Sequence, residues 1–209
     1  MEINWLGHSC FKIKSNSATI VTDPYSPDLG YSLGELTADI VTVSHDHTGH
    51  SYVQSVSGEP QIISGPGEYE VSGVLIIGLR TLHDTSDVNK GKNTVYLMEM
   101  DEISVCHLGD LGHVLTSDQI EEMDHVDVLL LPVGGVSTID ASIATEVVRQ
   151  LEPKIVVPMH YKTEVLNKEL EPVDNFFKEM GFKQVTSQPK LTFTKNSLPL
   201  TTQVVLLEY

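Results

Sequence analysis

Cysteine is scarce in this chain of 209 residues, which carries only Cys10 and Cys106. Two thiols cannot build a disulfide framework. Their number suits a reducing cytoplasm, with both expected as buried core thiols. Basic residues are few as well: 13 Lys and Arg stand against 29 Asp and Glu, a formal net charge of −16. A phosphate backbone demands many cations, so nucleic acid is excluded as a general partner. A small anionic substrate is not excluded, because a bound divalent cation can neutralise it locally. Long apolar runs are missing too, and none approaches the roughly 20 residues of a membrane span. The start, Met1-Glu2-Ile3-Asn4, lacks the basic and apolar regions of a signal peptide. No membrane partner is expected. With no repeat, low-complexity tract or long linker, one domain over residues 1–209 is expected.

What the chain has is histidine in one place. Ser44-His45-Asp46-His47-Thr48-Gly49-His50 follows the apolar run Ile40-Val41-Thr42-Val43. In extended backbone, residues i and i+2 share a side, so His45 and His47 can converge on one point. A turn into helix after them would bring His50 to the same rim. Neutral imidazole is the commonest metal ligand, and a three-histidine cluster at a strand end suits Zn2+ better than Mg2+ or Ca2+.

The first half reads as short strands separated by turn residues: Cys10–Lys14 alternates with period two, Ala18–Val21 stops at Asp23-Pro24, and Tyr25–Leu36 is a Gly/Pro/Ser-rich loop. Strands follow at Gln61–Ile63, Val74–Leu82, Thr94–Met100 and Ile103–His107, the last two joined by a turn at Asp101-Glu102. The second half adds helices. Thr116 and Gln119 fit a capping box, and Asp140 caps a helix from Ala141 to Leu151. Val173, Phe176, Phe177 and Met180 form an apolar stripe that ends at Gly181. Val128–Leu131 and Lys154–Val157 read as buried strands. Strands with interspersed helices make an α/β chain of sheets covered by helices.

Further candidate ligands sit where strands end: His83 and Asp84 after Val74–Leu82, His107 and Asp110 after Ile103, and His160 after Ile155–Met159. A scaffold of strand ends holds a site rigidly while leaving it open to solvent. Cys106 and His107 are neighbours in a strand and so face opposite ways, which argues against a ligand pair.

In order and spacing these residues resemble the metallo-β-lactamase fold hydrolases. Their signature His-x-His-x-Asp-His is matched by His45-Asp46-His47-Thr48-Gly49-His50. Asp23, His83, Asp110 and His160 fall where that superfamily has its early Asp, third His, bridging Asp and last His. Trp5-Leu6-Gly7-His8-Ser9 and Leu131-Pro132-Val133-Gly134-Gly135 further resemble a branch of small hydrolases that includes ascorbate-phosphate lactonases. The resemblance implies a four-layer αββα sandwich with its site on one edge of the sheets. It implies that His45, His47 and His83 hold a first metal, that His50 and His160 hold a second, and that Asp110 bridges them. Gly49 departs from the pattern by removing a carboxylate. The expectation is therefore one firm zinc and a second that is weak or absent, with Mn and Fe as other candidates and Asp84 or Asp46 as substitute carboxylates.

The activity implied is metal-assisted hydrolysis of a small ester, lactone or phosphodiester, since a bound metal lowers the pKa of water towards ~7. Asp110 would orient the hydroxide or take its proton, and His160 and Tyr161 would stabilise oxyanion charge. His8 is a candidate for proton transfer, support of a ligand or the local turn. Asp23 is expected to hydrogen-bond a ligand imidazole. The loop Thr85–Asn93 reads first as a solvated charged loop, with guidance of an anion by Lys90 or Lys92 as the alternative. Two other readings stay open: a metal-binding protein without catalysis, and an iron-bearing redox member of the fold like the flavodiiron proteins. Oligomeric state is not legible.

Overall fold

The computed structural model describes residues 1–83 and 91–209, so Asp84, Asp87 and Lys90 lie outside the described residues. Two sheets stack face to face. The first runs in the order Leu191–Thr192, Glu2–Trp5, Phe11–Lys14, Thr19–Thr22, Ile40–Val43, Gln61–Ser64. Its early pairs are antiparallel, whereas Thr19–Thr22, Ile40–Val43 and Gln61–Ser64 run parallel. The second has the order Gln203–Val204, Ile155–Met159, Val128–Pro132, Ile103–His107, Lys92–Met100, Val74–Leu82, Gly67–Val71.

Apolar patterning explains the layering. Ile103–His107, Val128–Pro132 and Ile155–Met159 are parallel to one another and buried at every position. Unbroken runs such as Val-Leu-Leu-Leu are what a strand covered on both faces requires. One face packs on the first sheet through Ile13, Ile20, Ile40, Tyr96 and Met98. The other meets helix residues Ala144, Val147, Phe176 and Phe177. The helices are Ser117–Met123, Ala141–Leu151 and Val173–Glu179. Their starts follow the sequence: Thr116 and Gln119 close a reciprocal capping box, and Asp140 Oδ1 accepts the Ile143 N–H at 2.9 Å. Asp101 and Glu102 both take positive φ, as a tight hairpin turn demands.

The outer face of the first sheet is covered differently from the helical layer the sandwich implies. A second apolar cluster there joins Val21, Val41 and Val43 to Tyr25, Leu29, Tyr31 and Leu166. The backbone over it consists of loop, two 3-10 turns, Pro27–Leu29 and Val53–Ser55, and a short parallel pair, Leu36–Thr37 with Val56–Ser57. Pro24, Pro27, Gly30 and Gly34 break any helical run in the first stretch. The segment after His50 likewise turns without forming an α-helix. The Gly67–Val71 strand was not legible in the sequence, because its exposed edge position leaves little apolar alternation to read.

The C-terminal ends of Thr19–Thr22, Ile40–Val43, Ile103–His107, Val128–Pro132 and Ile155–Met159 point to one edge, where the candidate ligands emerge. Tyr96 locks the two layers below that edge, its hydroxyl donating to Val43 O at 2.9 Å and accepting from Gly65 N at 2.9 Å. No helix among the described residues is long and apolar enough to cross a membrane.

Candidate metal centre

Asp110 lies at the middle of the histidines. Its Oδ2 is 3.3 Å from His50 Nε2, 3.4 Å from His160 Nε2, 3.7 Å from His83 Nε2 and 3.8 Å from His45 Nε2. Burial pushes the Asp110 carboxyl pKa up, but His160 and His50 outweigh it and hold it well below the ordinary carboxylate range. On one side His45, His47 and His83 bring one nitrogen each within 4.8 Å of one another. On the other side His8, His50 and His160 do the same.

Asp23 orients two of these rings from beneath. Its Oδ2 accepts from Ser44 Oγ at 2.6 Å and contacts His50 Nδ1 at 2.9 Å, and its Oδ1 accepts the Ser44 N–H at 2.8 Å. Ser44 Oγ in turn touches His45 Nδ1 at 2.9 Å. With the Nδ1 atoms of His45 and His50 engaged, their Nε2 atoms face Asp110, which is how a carboxylate fixes a ligand tautomer. Burial lowers the His50 pKa, yet Asp110 and Asp23 raise it to about 9. For His45 burial prevails, helped by His50, and the pKa falls to about 3.

The Asp110 loop is held by Asn93, a residue that no pattern in the chain singles out. Asn93 Nδ2 donates to Thr81 Oγ1 at 2.8 Å and Leu108 O at 2.9 Å, while its Oδ1 accepts the Asp110 N–H at 3.0 Å. Gly109 permits that closeness. It sits at φ +56, and a Cβ there would lie 2.4 Å from Asn93 Oδ1 and 2.6 Å from Ser44 Cβ. Gly109→Val is expected to destabilise the fold by about 3 kcal/mol or more, read as a shift in the denaturation midpoint. An unchanged midpoint would show that the loop yields freely.

Three non-glycine residues of the site hold positive φ: His8 at 52°, Asp23 at 40° and His160 at 51°. Such conformations cost of order 1–3 kcal/mol each and gather at functional sites. Backbone ties hold two of them, since His8 O accepts both the His160 N–H at 3.0 Å and Trp5 Nε1 at 3.0 Å.

The remaining expectations sort as follows. His107 is buried and binds Ser9 O through Nε2 at 2.8 Å, outside the ligand clusters. Cys10 and Cys106 are buried and unpaired thiols. Asp46 is exposed and accepts from Ser51, so it does not supply the carboxylate missing at Gly49. Tyr161 packs its ring on Trp5 at 5.0 Å and lines a cavity shared with Trp5, Lys162 and Tyr209. His8 joins the second cluster itself, its ring 4.2 Å from His160 and 4.9 Å from His50.

A metal fits these residues. Both ring nitrogens of His8 and of His160, together with Asp110 Oδ1, are buried without a hydrogen-bond partner among the described residues. Each orphaned buried polar atom costs about 1–3 kcal/mol, and a cation between the clusters would give one nitrogen of each ring and the carboxylate oxygen a partner. A cavity of about 290 Å³ opens beside His45 and His47, lined also by Arg80, Lys92, Asn93 and Thr94. Lys92 opens the strand Lys92–Met100 at the rim of this cavity instead of lying in a loop, and Arg80 was overlooked because it lies inside the strand Val74–Leu82.

Two stacked sheets with a carboxylate-centred histidine cluster at their shared edge define a candidate metal-binding protein. Residues 2–160 match the β-lactamase superfamily domain, and the chain belongs to that superfamily. A UPF0173 metal-dependent hydrolase of Methanoculleus marisnigri is 32% identical over 191 residues, covering 78% of this chain and 82% of that one. The crystal structure of a proposed Zn-dependent hydrolase of the metallo-β-lactamase superfamily, from Thermotoga maritima, is 44% identical. It aligns over 99% of this chain and 98% of that one with a TM-score of 0.83. An isothiocyanate hydrolase from Delia radicum gut bacteria shares the fold at 14% identity and a TM-score of 0.71 over 93% of this chain and 99% of that one.

Proposed function

We propose that this chain is a zinc-dependent hydrolase of a small anionic ester, with phosphodiesters the first class to try. The observation that carries the reading is the convergence of His45, His50, His83 and His160 on Asp110, with His47 and His8 grouped beside them and a cavity edged by Arg80 and Lys92. The names of the relatives support the reaction type. The donor set supports the metal, since imidazole suits zinc and oxygen-rich sites suit Mg2+ or Mn2+.

His45, His47 and His83 would hold one cation, His50 and His160 a second, and Asp110 would lie between them. Bound there, zinc lowers the pKa of water to about 7 and polarises the electrophilic oxygen. Asp110 Oδ1, which lacks a partner among the described residues, is the atom available to orient that water and accept its proton. Asp23 and Ser44 keep the imidazoles from turning. Arg80 and Lys92 draw an anionic substrate into a chain that is otherwise strongly acidic.

The test is a panel of phosphodiesters, lactones, thioesters and neutral carboxyl esters offered to zinc-reconstituted protein. Turnover concentrated in the phosphodiesters is the expected result. Arg80→Ala should then raise KM for the anionic substrate about tenfold with kcat nearly unchanged, and leave neutral esters unaffected. Metal-loaded protein inert on the whole panel would mean a metal-binding role without catalysis.

A further inference from the structure

We infer that His8 is a direct ligand of the second metal, replacing the carboxylate that Gly49 removes. This inference rests on the metal-binding half of the reading above and is independent of hydrolysis.

Three observations carry it. First, the His8 ring is fully buried and neither nitrogen has a hydrogen-bond partner among the described residues, although it is packed against His50 and His160. A histidine kept only to shape a turn would satisfy at least one nitrogen. Second, its nitrogen groups with those of His50 and His160 within 4.8 Å. Bonds of about 2.1 Å in a tetrahedral site place ligands roughly 3.4 Å apart, so small ring movements close the cluster. Third, the gap at position 49 is filled by His8 itself. A Cβ on Gly49 would stand 3.3 Å from His8 Nε2, and any longer side chain would enter the ring's volume. Gly49 does not occupy the left-handed region, so its backbone would accept a side chain and does not itself demand glycine. A carboxylate at 49 and an imidazole from residue 8 are therefore alternative occupants of one place.

The exchange has a chemical consequence. Each cation would face three neutral imidazoles, and Asp110 would be the one carboxylate shared between them. The site carries one more positive unit than it would with an Asp at 49, which favours zinc, nickel or copper over manganese and favours an anionic ligand.

The experiment uses the full chain with Co2+ and Zn2+ as probes. Metal content after dialysis is measured, together with the Co2+ absorption spectrum and a pulsed-EPR count of coordinated imidazoles. His8→Asn is the variant of choice, because Asn tolerates the positive φ at position 8. Wild type should retain two equivalents. His8→Asn should weaken the second at least tenfold and remove one imidazole from the count. Gly49→Asp in the His8→Asn background should restore the second equivalent without restoring the imidazole. Two equivalents and an unchanged imidazole count in His8→Asn would overturn the inference. So would a wild type that holds one metal regardless of residue 8, or a His8→Asn protein that loses all metal and is not rescued by Gly49→Asp. Two metals with the expected dependence and no hydrolysis would leave His8 a ligand and remove the hydrolase reading alone.

Discussion

Asp110→Asn is expected to lower kcat/KM by about 10³-fold, the scale of losing a positioned general base together with an anionic metal bridge. The substitution is nearly isosteric, so the side chain still fits between the histidines. It removes the negative charge that lies within 3.8 Å of all four of His45, His50, His83 and His160. Metal content should fall as well, because the ligands left at both positions are neutral imidazoles. Full metal occupancy with normal turnover would show that Asp110 is neither bridge nor base.

The same variant has a signature in the metal-free protein. Asp110 and Asp23 raise the His50 pKa to about 9, above the unfolded value near 6.5. A raised histidine contributes stability that is fully present below about 6.5 and is lost as pH rises through about 9. Asp110 itself is depressed, so its contribution is present above about 4 and is lost as pH falls. Thermal melts of metal-free wild type should therefore decline from neutral to alkaline pH. Asp110→Asn should flatten that decline, because His50 then keeps Asp23 as its one carboxylate partner.

Much of this architecture could be read from the chain because local chemistry and burial agree. The unbroken apolar runs at Val128–Leu131 and Ile155–Val157 belong only in strands covered on both faces, and the caps at Thr116 and Asp140 act as their side chains allow. The candidate ligands His45, His47 and His50 were legible because they lie close together in sequence. Histidines of the second cluster were harder to combine, since His8 and His160 meet only through the stacking of two sheets. No spacing rule connects residue 8 to residue 49, so the loss at Gly49 looked like a vacancy. Ser44, Asn93 and Arg80 were invisible for a similar reason. Each acts on groups from other segments, and an isolated Ser, Asn or Arg in or just after a strand carries no pattern of its own.

Asn93→Ala is expected to damage stability and metal binding together. Asn93 is buried and serves two strands and the Asp110 loop at once. Removing its amide leaves the Asp110 N–H, the Leu108 carbonyl and Thr81 Oγ1 short of partners in a place water reaches poorly. Each buried unsatisfied group costs about 1–3 kcal/mol, so a loss of about 3 kcal/mol is the central expectation, seen as a lower denaturation midpoint at constant m. The loop carrying Asp110 then loses the contact that fixes its height between the two histidine clusters. Outer contacts of this kind change metal affinity by about 10–100-fold, which chelator competition would measure. Asn93→Asp separates the two effects. It keeps an acceptor for the Asp110 N–H but turns a second oxygen toward the Leu108 carbonyl, and it adds a negative charge beside Asp110. Stability should fall by a similar amount while metal affinity is better preserved, because the added charge attracts the cation that the loosened loop holds less well. Equal loss of metal in both variants would mean that loop position alone sets affinity, with the local field adding nothing.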